Sequence, residues 1–381
     1  MKKALLMLTG GRGIPDMLVI KYLRPDIVFN LTTKQGLRTA QHLAHFAHIE
    51  FGCQMKILPT INPNKEKEVK ESCMHVLRSQ DDAEWLVSIT SAPKTMSIFA
   101  VDVARENDIP CWYLNTDDRE VISFSKGIPV DVDNLFKASV EQYMKLYERD
   151  YEIPKSDHYR KQAESWYEVA KLLAHMPEAT HKLMKALRRA QWKKSREEAI
   201  TFTVELQAKT LGCELQKHNF LIIDHETMDT LQCTIVDGDK REFLNGDWLE
   251  TYVWREVKNA KFTHDCQWGY KIFTGKAKNE LDVAFTYKGI LLIAECKTDD
   301  DPFTKKSEYL DTLDSVANSL GRTYTSKFFV TNHPAPEDVQ SYESFCAQAK
   351  QRKILVITGK DLCNIGTILK QEAEAPSIER T

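Results

Sequence analysis

The chain has 381 residues, 42% of them hydrophobic and 28% charged, and carries a net charge of −3. That length supports more than one domain with a sizeable core, while the composition excludes a disordered or fibrous chain and the charge excludes nucleic-acid affinity carried by a globally basic surface. The nine cysteines are odd in number, scattered and without a CxxC pair, which reads as reduced intracellular thiols rather than a disulfide frame or zinc site. The short apolar run after Lys2-Lys3 and every later one fall below membrane-span length, so the sequence is read as cytoplasmic.

In chain order, residues 4–8 read as a buried strand, followed by Thr9-Gly10-Gly11-Arg12-Gly13 and a helix opening at Ile14-Pro15-Asp16. A second strand is expected over 26–30 and a helix over 35–49. A third strand covers 56–58 and a charged helix 65–79. A fourth strand covers 85–89, with a helix through Glu106, and a fifth covers 111–114. Strands alternating with helices predict a parallel sheet covered on both faces, with any ligand outside the carboxyl ends of the strands. Those ends (Thr9 to Arg12, Asn30 to Lys34, Ser91 to Met96, Asn115-Thr116) are small, polar or basic. Helix-start N–H groups with Arg12, Lys34 and Lys94 suit phosphates, and the glycines let backbone approach a ligand closely. The G-G-x-G pattern is neither the dinucleotide fingerprint nor a Walker loop. His42, His45 and His48 share helical spacing and are read as a solvated or half-buried face.

Further on, a short strand over 121–124 precedes a helix expected over 134–148, with Leu135, Val140, Tyr143, Met144 and Tyr147 as its apolar stripe. Pro154 marks a boundary. Two helices are expected over 156–175 and 179–191, separated by Pro177. The second carries Lys182, Lys185, Arg188, Arg189, Lys193, Lys194 and Arg196 around Trp192. That basic face either tracks a phosphate backbone or is solvated. A short helix is expected over 204–211, then strands over 220–223 and 233–236.

A helix over 246–257 carries Glu250 in its opening turn. A strand over 267–273 leads into Asn279-Glu280-Leu281-Asp282-Val283, a Lys288-Gly289 turn and the apolar strand 290–294, which ends Glu295-Cys296-Lys297. Residues two apart on a strand share one face, and the turn brings Asp282 beside them. Burying Glu and Lys on one face of an apolar strand is costly without a purpose. Two carboxylates suit Mg²⁺, and the ammonium suits a water or a scissile phosphate. An acidic loop, 299–301, lies beyond. An amphipathic helix ends at Gly321, strands follow over 328–330 and 354–357, and a helix over 360–372 precedes a polar tail.

Asp282, Glu295 and Lys297 resemble the D…ExK core of the PD-(D/E)XK nuclease superfamily, with Glu250 as the additional acid on a preceding helix. Ser91-Ala92-Pro93-Lys94-Thr95-Met96 resembles the G-T-K-x-M-like loop of CARF domains, the Rossmann-like sensors of cyclic oligoadenylate in type III CRISPR systems. A CARF domain followed by a PD-(D/E)XK domain resembles the CRISPR ancillary nucleases. That resemblance implies an α/β protein in three parts: a sensor (1–153) with a parallel sheet, a mainly helical connector (154–242) and a nuclease domain (243–381). It further implies a homodimer, activation by cyclic tetra-adenylate and endonucleolytic cutting of DNA, RNA or both. Asp282 and Glu295 would hold Mg²⁺ or Mn²⁺, with a main-chain carbonyl near Cys296 as a further ligand. Lys297 would position water, and Glu250 would support a second cation or an outer-shell water. The activator would meet Thr9, Gly10, Gly11, Arg12, Asn30, Thr32, Thr33, Lys34, Ser91, Lys94, Thr95, Met96 and Asn115. Two other readings stay open: an ungated DNA-processing nuclease, and a non-catalytic nucleotide-sensing regulator that binds nucleic acid.

Overall fold

The structure, a computed structural model, describes the whole chain except residues 81, 117, 192–194, 196, 275–276, 322–323, 335–339 and 378–381. It forms two compact units: Met1–Asp150 with Thr286–Ile290, and Tyr151–Phe285 with Leu291–Thr381.

The first unit alternates strand and helix: β1 (Lys2–Thr9), α1 (Ile14–Leu23), β2 (Ile27–Thr32), α2 (Leu37–Phe51), β3 (Gln54–Ile57), α3 (Glu66–Arg78), β4 (Ala83–Ser88), α4 (Lys94–Glu106), β5 (Cys111–Asn115) and β6 (Glu120–Ser123). The sheet order is β3-β2-β1-β4-β5-β6, parallel throughout except for the antiparallel edge pair β5–β6. Leu5 to Leu8 are fully buried, as a central strand covered on both faces requires. The chain reverses its order of strand placement between β1 and β4, so their carboxyl ends frame the crevice where such sheets bind ligands.

The helix expected over 134–148 is two helices, α5 (Val132–Leu135) and α6 (Val140–Leu146). Asp131 caps the first, and Ser139 with Gln142 forms a capping box that starts the second. The hairpin tip also belongs to this unit. Thr286 Oγ1 donates to the Ala138 carbonyl at 2.6 Å. Gly289 adopts φ +76° with its α-carbon turned toward Leu18 and Phe136.

The second unit begins with β7 (Asp150–Glu152), α7 (Asp157–Ser165), α8 (Tyr167–His175) and α9 (Pro177–Ala190). The helix expected over 156–175 is broken at Trp166, whose ring packs edge-on against Phe220 and Phe243. Pro177 opens α9, where its missing N–H costs nothing. The helix expected over 204–211 begins two residues later, as a 3₁₀ turn (Leu206–Ala208) that runs into α10 (Lys209–Lys217), and its first two residues instead end a strand the sequence reading lacked, β8 (Ile200–Glu205). Alternating burial along Ile200–Glu205 explains the strand. With β9 (Ile222–Glu226) and β10 (Thr230–Ile235) it forms a three-stranded sheet ordered β8-β10-β9.

After α11 (Gly238–Glu242) and a π-helical turn come α12 (Trp248–Asn259), β11 (Asp265–Thr274), β12 (Ala277–Tyr287) and β13 (Ile290–Lys297). Then follow α13 (Lys306–Leu320), β14 (Thr325–Thr331), α14 (Gln340–Gln351), β15 (Ile354–Ile357) and α15 (Ile365–Glu374). The sheet order is β15-β14-β13-β12-β11-β7, and β13, β14 and β15 run parallel. Ile290 to Cys296 are all buried, so β13 is the spine of this unit. No helix among the described residues is long and apolar enough to cross a membrane.

Candidate active site

The candidate site lies where β12 and β13 run side by side. Their two-residue turn sets the register, and alternation along β13 puts Glu295 and Lys297 on one face. Lys297 Nζ stands 2.5 Å from Glu295 Oε1 and 3.1 Å from Asp282 Oδ2. The Cys296 backbone N–H donates to Asp282 Oδ2 at 2.7 Å, and Lys297 Nζ donates to the Cys296 carbonyl at 3.3 Å. One ammonium therefore touches both carboxylates and the carbonyl between them.

Electrostatics follow from burial. The Glu295 carboxyl is pushed up to about 7, first by desolvation and then by the Asp282 charge, with Lys297 opposing. Burial also works against the charge on Lys297, but Asp282 and Glu295 outweigh it and its pKa is raised. Burial, then Asp282, pushes the Cys296 thiol up, so it stays protonated and the carbonyl is this residue's available donor. A buried carboxyl whose proton affinity is raised by burial and by a neighbouring carboxylate, with a main-chain carbonyl beside it, forms a donor set that favours a cation. Lys297 already stands in it as a positive charge, so the residues present fit a hard divalent ion. Among the described residues no group of three or more His, Cys, Asp or Glu converges in ligating geometry. The fit rests on the Asp282–Glu295 pair and the carbonyl.

Glu250, in the first turn of α12, is not paired with Lys297. Its ion partner is Lys155 Nζ at 3.4 Å, and that ammonium also meets Asp247 Oδ1 at 2.7 Å. Burial, then the charge of Asp282, raises the Glu250 carboxyl well above its ordinary value, with Lys155 opposing. Tyr159 donates its hydroxyl to Asp247 Oδ2 at 2.6 Å. Glu280 is half-buried and raised by burial and by Asp282.

Beyond Lys297, Arg188 donates to Asp300 Oδ1 at 2.8 Å and to Thr298 Oγ1 at 2.7 Å, and Thr298 in turn donates to the Asn245 carbonyl at 2.8 Å. Asp299 accepts from the Tyr309 hydroxyl. Lys182 pairs with Glu205 at 2.8 Å, while Arg189 is exposed. Arg188 of the expected basic face is thus committed within the protein. Trp192, Lys193, Lys194 and Arg196 lie outside the described residues. Sequence reasoning missed Lys155, Tyr159 and Arg188 as site neighbours. They reach the hairpin through tertiary packing, and no local spacing marks them.

In the first unit the strand ends gather as expected around a centre the sequence reading overlooked. Asp16, at the start of α1, is fully buried. Thr9 Oγ1 donates to Asp16 Oδ2 at 2.8 Å and accepts from Asn30 Nδ2 at 2.7 Å, and Thr32 Oγ1 donates to the Thr9 carbonyl at 2.8 Å. Burial raises the Asp16 carboxyl to about 7, against the hydroxyls of Thr9 and Ser91. A Cβ at Gly10 would stand 2.2 Å from the Ser91 carbonyl, so only glycine lets these two loops meet; Gly11 has open space. Thr33 Oγ1 accepts from the Gly36 N–H at 3.2 Å. Arg12, Lys34 and Lys94 are exposed. Thr95 donates to Asn64 at 2.7 Å and Asn115 to Asp118 at 2.7 Å. Met96 is wholly buried in the core between sheet and helices, where its side chain packs rather than faces solvent.

The fold is a Rossmann-like α/β unit followed by a second α/β unit whose mixed sheet carries the Asp282, Glu295 and Lys297 cluster. Residues 237–375 match the family described as Card1-like, endonuclease domain. Can2 from Sulfobacillus thermosulfidooxidans, solved in complex with cyclic tetra-adenylate, is similar at 19% identity over 98% of both chains, with a TM-score of 0.74. Protein VC1899 from Vibrio cholerae is similar at 16% identity over 99% of both chains, with a TM-score of 0.75. A type III CRISPR defence DNA nuclease activated by cyclic oligoadenylate is similar at 15% identity over 89% of this chain and 47% of its own, with a TM-score of 0.50. At these identities the likeness is one of fold. No curated protein matches the chain at the sequence level.

Proposed function

We propose that this protein is a homodimeric endonuclease, dependent on Mg²⁺ or Mn²⁺, whose cutting of DNA or RNA is switched on by cyclic tetra-adenylate. The observation that carries this reading is the single Lys297 ammonium held by both Asp282 and Glu295, inside a domain of an endonuclease family. Asp282, Glu295 and the Cys296 carbonyl would hold the divalent ion. When bound, that ion supplies Lewis-acid polarisation of the phosphate and activation of water. Lys297 orients the attacking water and offsets charge on the phosphate. Glu250 contributes a further carboxylate from α12. The Cys296 N–H keeps Asp282 fixed while this happens.

The sensor half of the reading rests on the crevice between β1 and β4, on the exposed Arg12, Lys34 and Lys94 at its rim, and on the fold shared with the Can2 complex. The backbone at Gly10 and Gly11 and the side chains of Thr33, Ser91, Thr95 and Asn115 complete the proposed contact set. Thr9, Asn30 and Thr32 act from beneath by fixing the loops. A two-fold symmetric ring suits a two-fold symmetric dimer. The activator must bind the active and inactive states with different strength in order to switch them. The reading places the protein in the cytoplasm, which the nine free cysteines suit. The test is a dose response. Lys94→Ala and Arg12→Ala should raise the activator concentration needed by at least about tenfold, the worth of one charge-assisted contact, and leave maximal cleavage near normal. An unchanged dose response in both variants removes them from the sensor.

A further inference from the structure

We infer that Lys155 is a positioning residue that supplies the second fixed positive charge of the nuclease site, in the place where a second divalent ion would otherwise meet Glu250. The inference rests on the metal-dependent reading above and deepens it: the working site takes one divalent ion per chain. Four carboxylates stand in direct ion-pair contact, Asp247 and Glu250 with Lys155, and Asp282 and Glu295 with Lys297. Each pair of carboxylates shares one ammonium, and the Asp282–Glu295 pair has a main-chain carbonyl beside it as a further oxygen donor.

Lys155 is built into its place. Its side chain is 16% exposed, and those of Asp247 and Glu250 are each 13% exposed. Its Nζ lies 4.9 Å from the centre of the Trp268 ring, over which Arg160 also stacks at 4.8 Å. Arg160 is itself anchored by donating to the Trp268 carbonyl at 2.7 Å. Tyr159 fixes Asp247 from the other side at 2.6 Å. Burial works against the charge of Lys155, yet Glu250 and Asp247 outweigh it and keep the ammonium protonated. A fixed point charge on a short tether cannot leave as a second ion can. It therefore fixes Glu250 and Asp247 in place without any metal of its own.

The test counts ions, not turnover. Full-length protein without nucleic acid is titrated with Mn²⁺ by calorimetry, with electron paramagnetic resonance of free Mn²⁺ as a second count. Wild type should bind one ion per chain, Lys155→Met two, and Lys155→Arg one, because arginine keeps the charge. Glu295→Ala should lose the ion that wild type binds. Two ions in wild type, or an unchanged single ion in folded Lys155→Met, overturns the inference while the metal-dependent reading stands. An undiminished Mn²⁺ count in Glu295→Ala, or no binding by wild type, defeats the metal-dependent reading itself, and the inference falls with it. Should Lys155→Met fail to fold, the wild-type count alone decides.

Discussion

The backbone N–H of Cys296 donates to the side chain of Asp282 across the hairpin at 2.7 Å. A strand backbone thereby fixes a carboxylate that the same strand's lysine also holds, and the three groups move as one rigid unit. Rigid support of this kind lets a site act without reorganising.

Removal of the lysine should therefore be costly for cleavage. Lys297→Ala is expected to lower the cleavage rate by at least about a hundredfold, the low end for loss of a group that handles a proton or developing charge. Binding of cyclic tetra-adenylate should be unchanged. Single-turnover cleavage and activator calorimetry on the same preparation check both halves.

Asp16 predicts a pH dependence of stability in the first unit. Its carboxyl is raised from 3.8 to about 7, so the folded state binds a proton that the unfolded state releases between those values. Stability from this group is fully present below pH 4, falls as pH rises, and is lost above about 7. Asp16→Asn should flatten that decline and be the more stable form at pH 8, by a few kcal/mol at most. Denaturant unfolding at pH 5 and pH 8 reads the effect, and parallel pH slopes in the two proteins would exclude Asp16 as its source.

Gly289 should resist substitution. A Cβ there would stand 3.0 Å from Leu18 Cδ1 and 3.1 Å from Phe136 Cδ1, on backbone with φ +76°. Gly289→Ala is expected to cost about 1–3 kcal/mol from combined backbone strain and overpacking. Thermal unfolding measures it against Gly11→Ala, where the added methyl meets open space.

Arg188→Ala should loosen the segment that leaves β13. It removes charge-assisted bonds to Asp300 and Thr298, each worth about 1.5–3 kcal/mol at most. Cleavage should fall while the activator dose response stays in place, because Arg188 lies in the second unit. A shifted dose response would contradict this assignment.

The β12–β13 hairpin was legible in the sequence because its information is local. Alternation fixes the face of Glu295 and Lys297, and a two-residue turn fixes the partner strand. The alternation of strands and helices in the first unit was legible for the same reason: apolar runs and helix starts follow one another along the chain. The errors arose where short polar signals outrank apolar periodicity. The Ser139–Gln142 capping box cuts a stripe that reads as one helix. Along Ile200–Glu205, threonines alternate with Ile200, Phe202 and Val204 in a period of two, but the apolar residues from Val204 to Leu211 suggested a helix. Met96 looked like a loop residue because it follows Lys94-Thr95, yet it falls on the inward face of α4. Lys155 was invisible for a different reason: its role exists only once Asp247, Glu250 and Trp268 are assembled around it.

The central claim is tested most directly by cleavage of labelled DNA and RNA in Mn²⁺, with and without cyclic tetra-adenylate, for wild type and Glu295→Ala side by side. The account predicts cutting by wild type only when the cyclic nucleotide is present, and none by Glu295→Ala although it still binds the nucleotide. Equal cutting by wild type with and without the nucleotide, or cutting by Glu295→Ala at the wild-type rate, would contradict it.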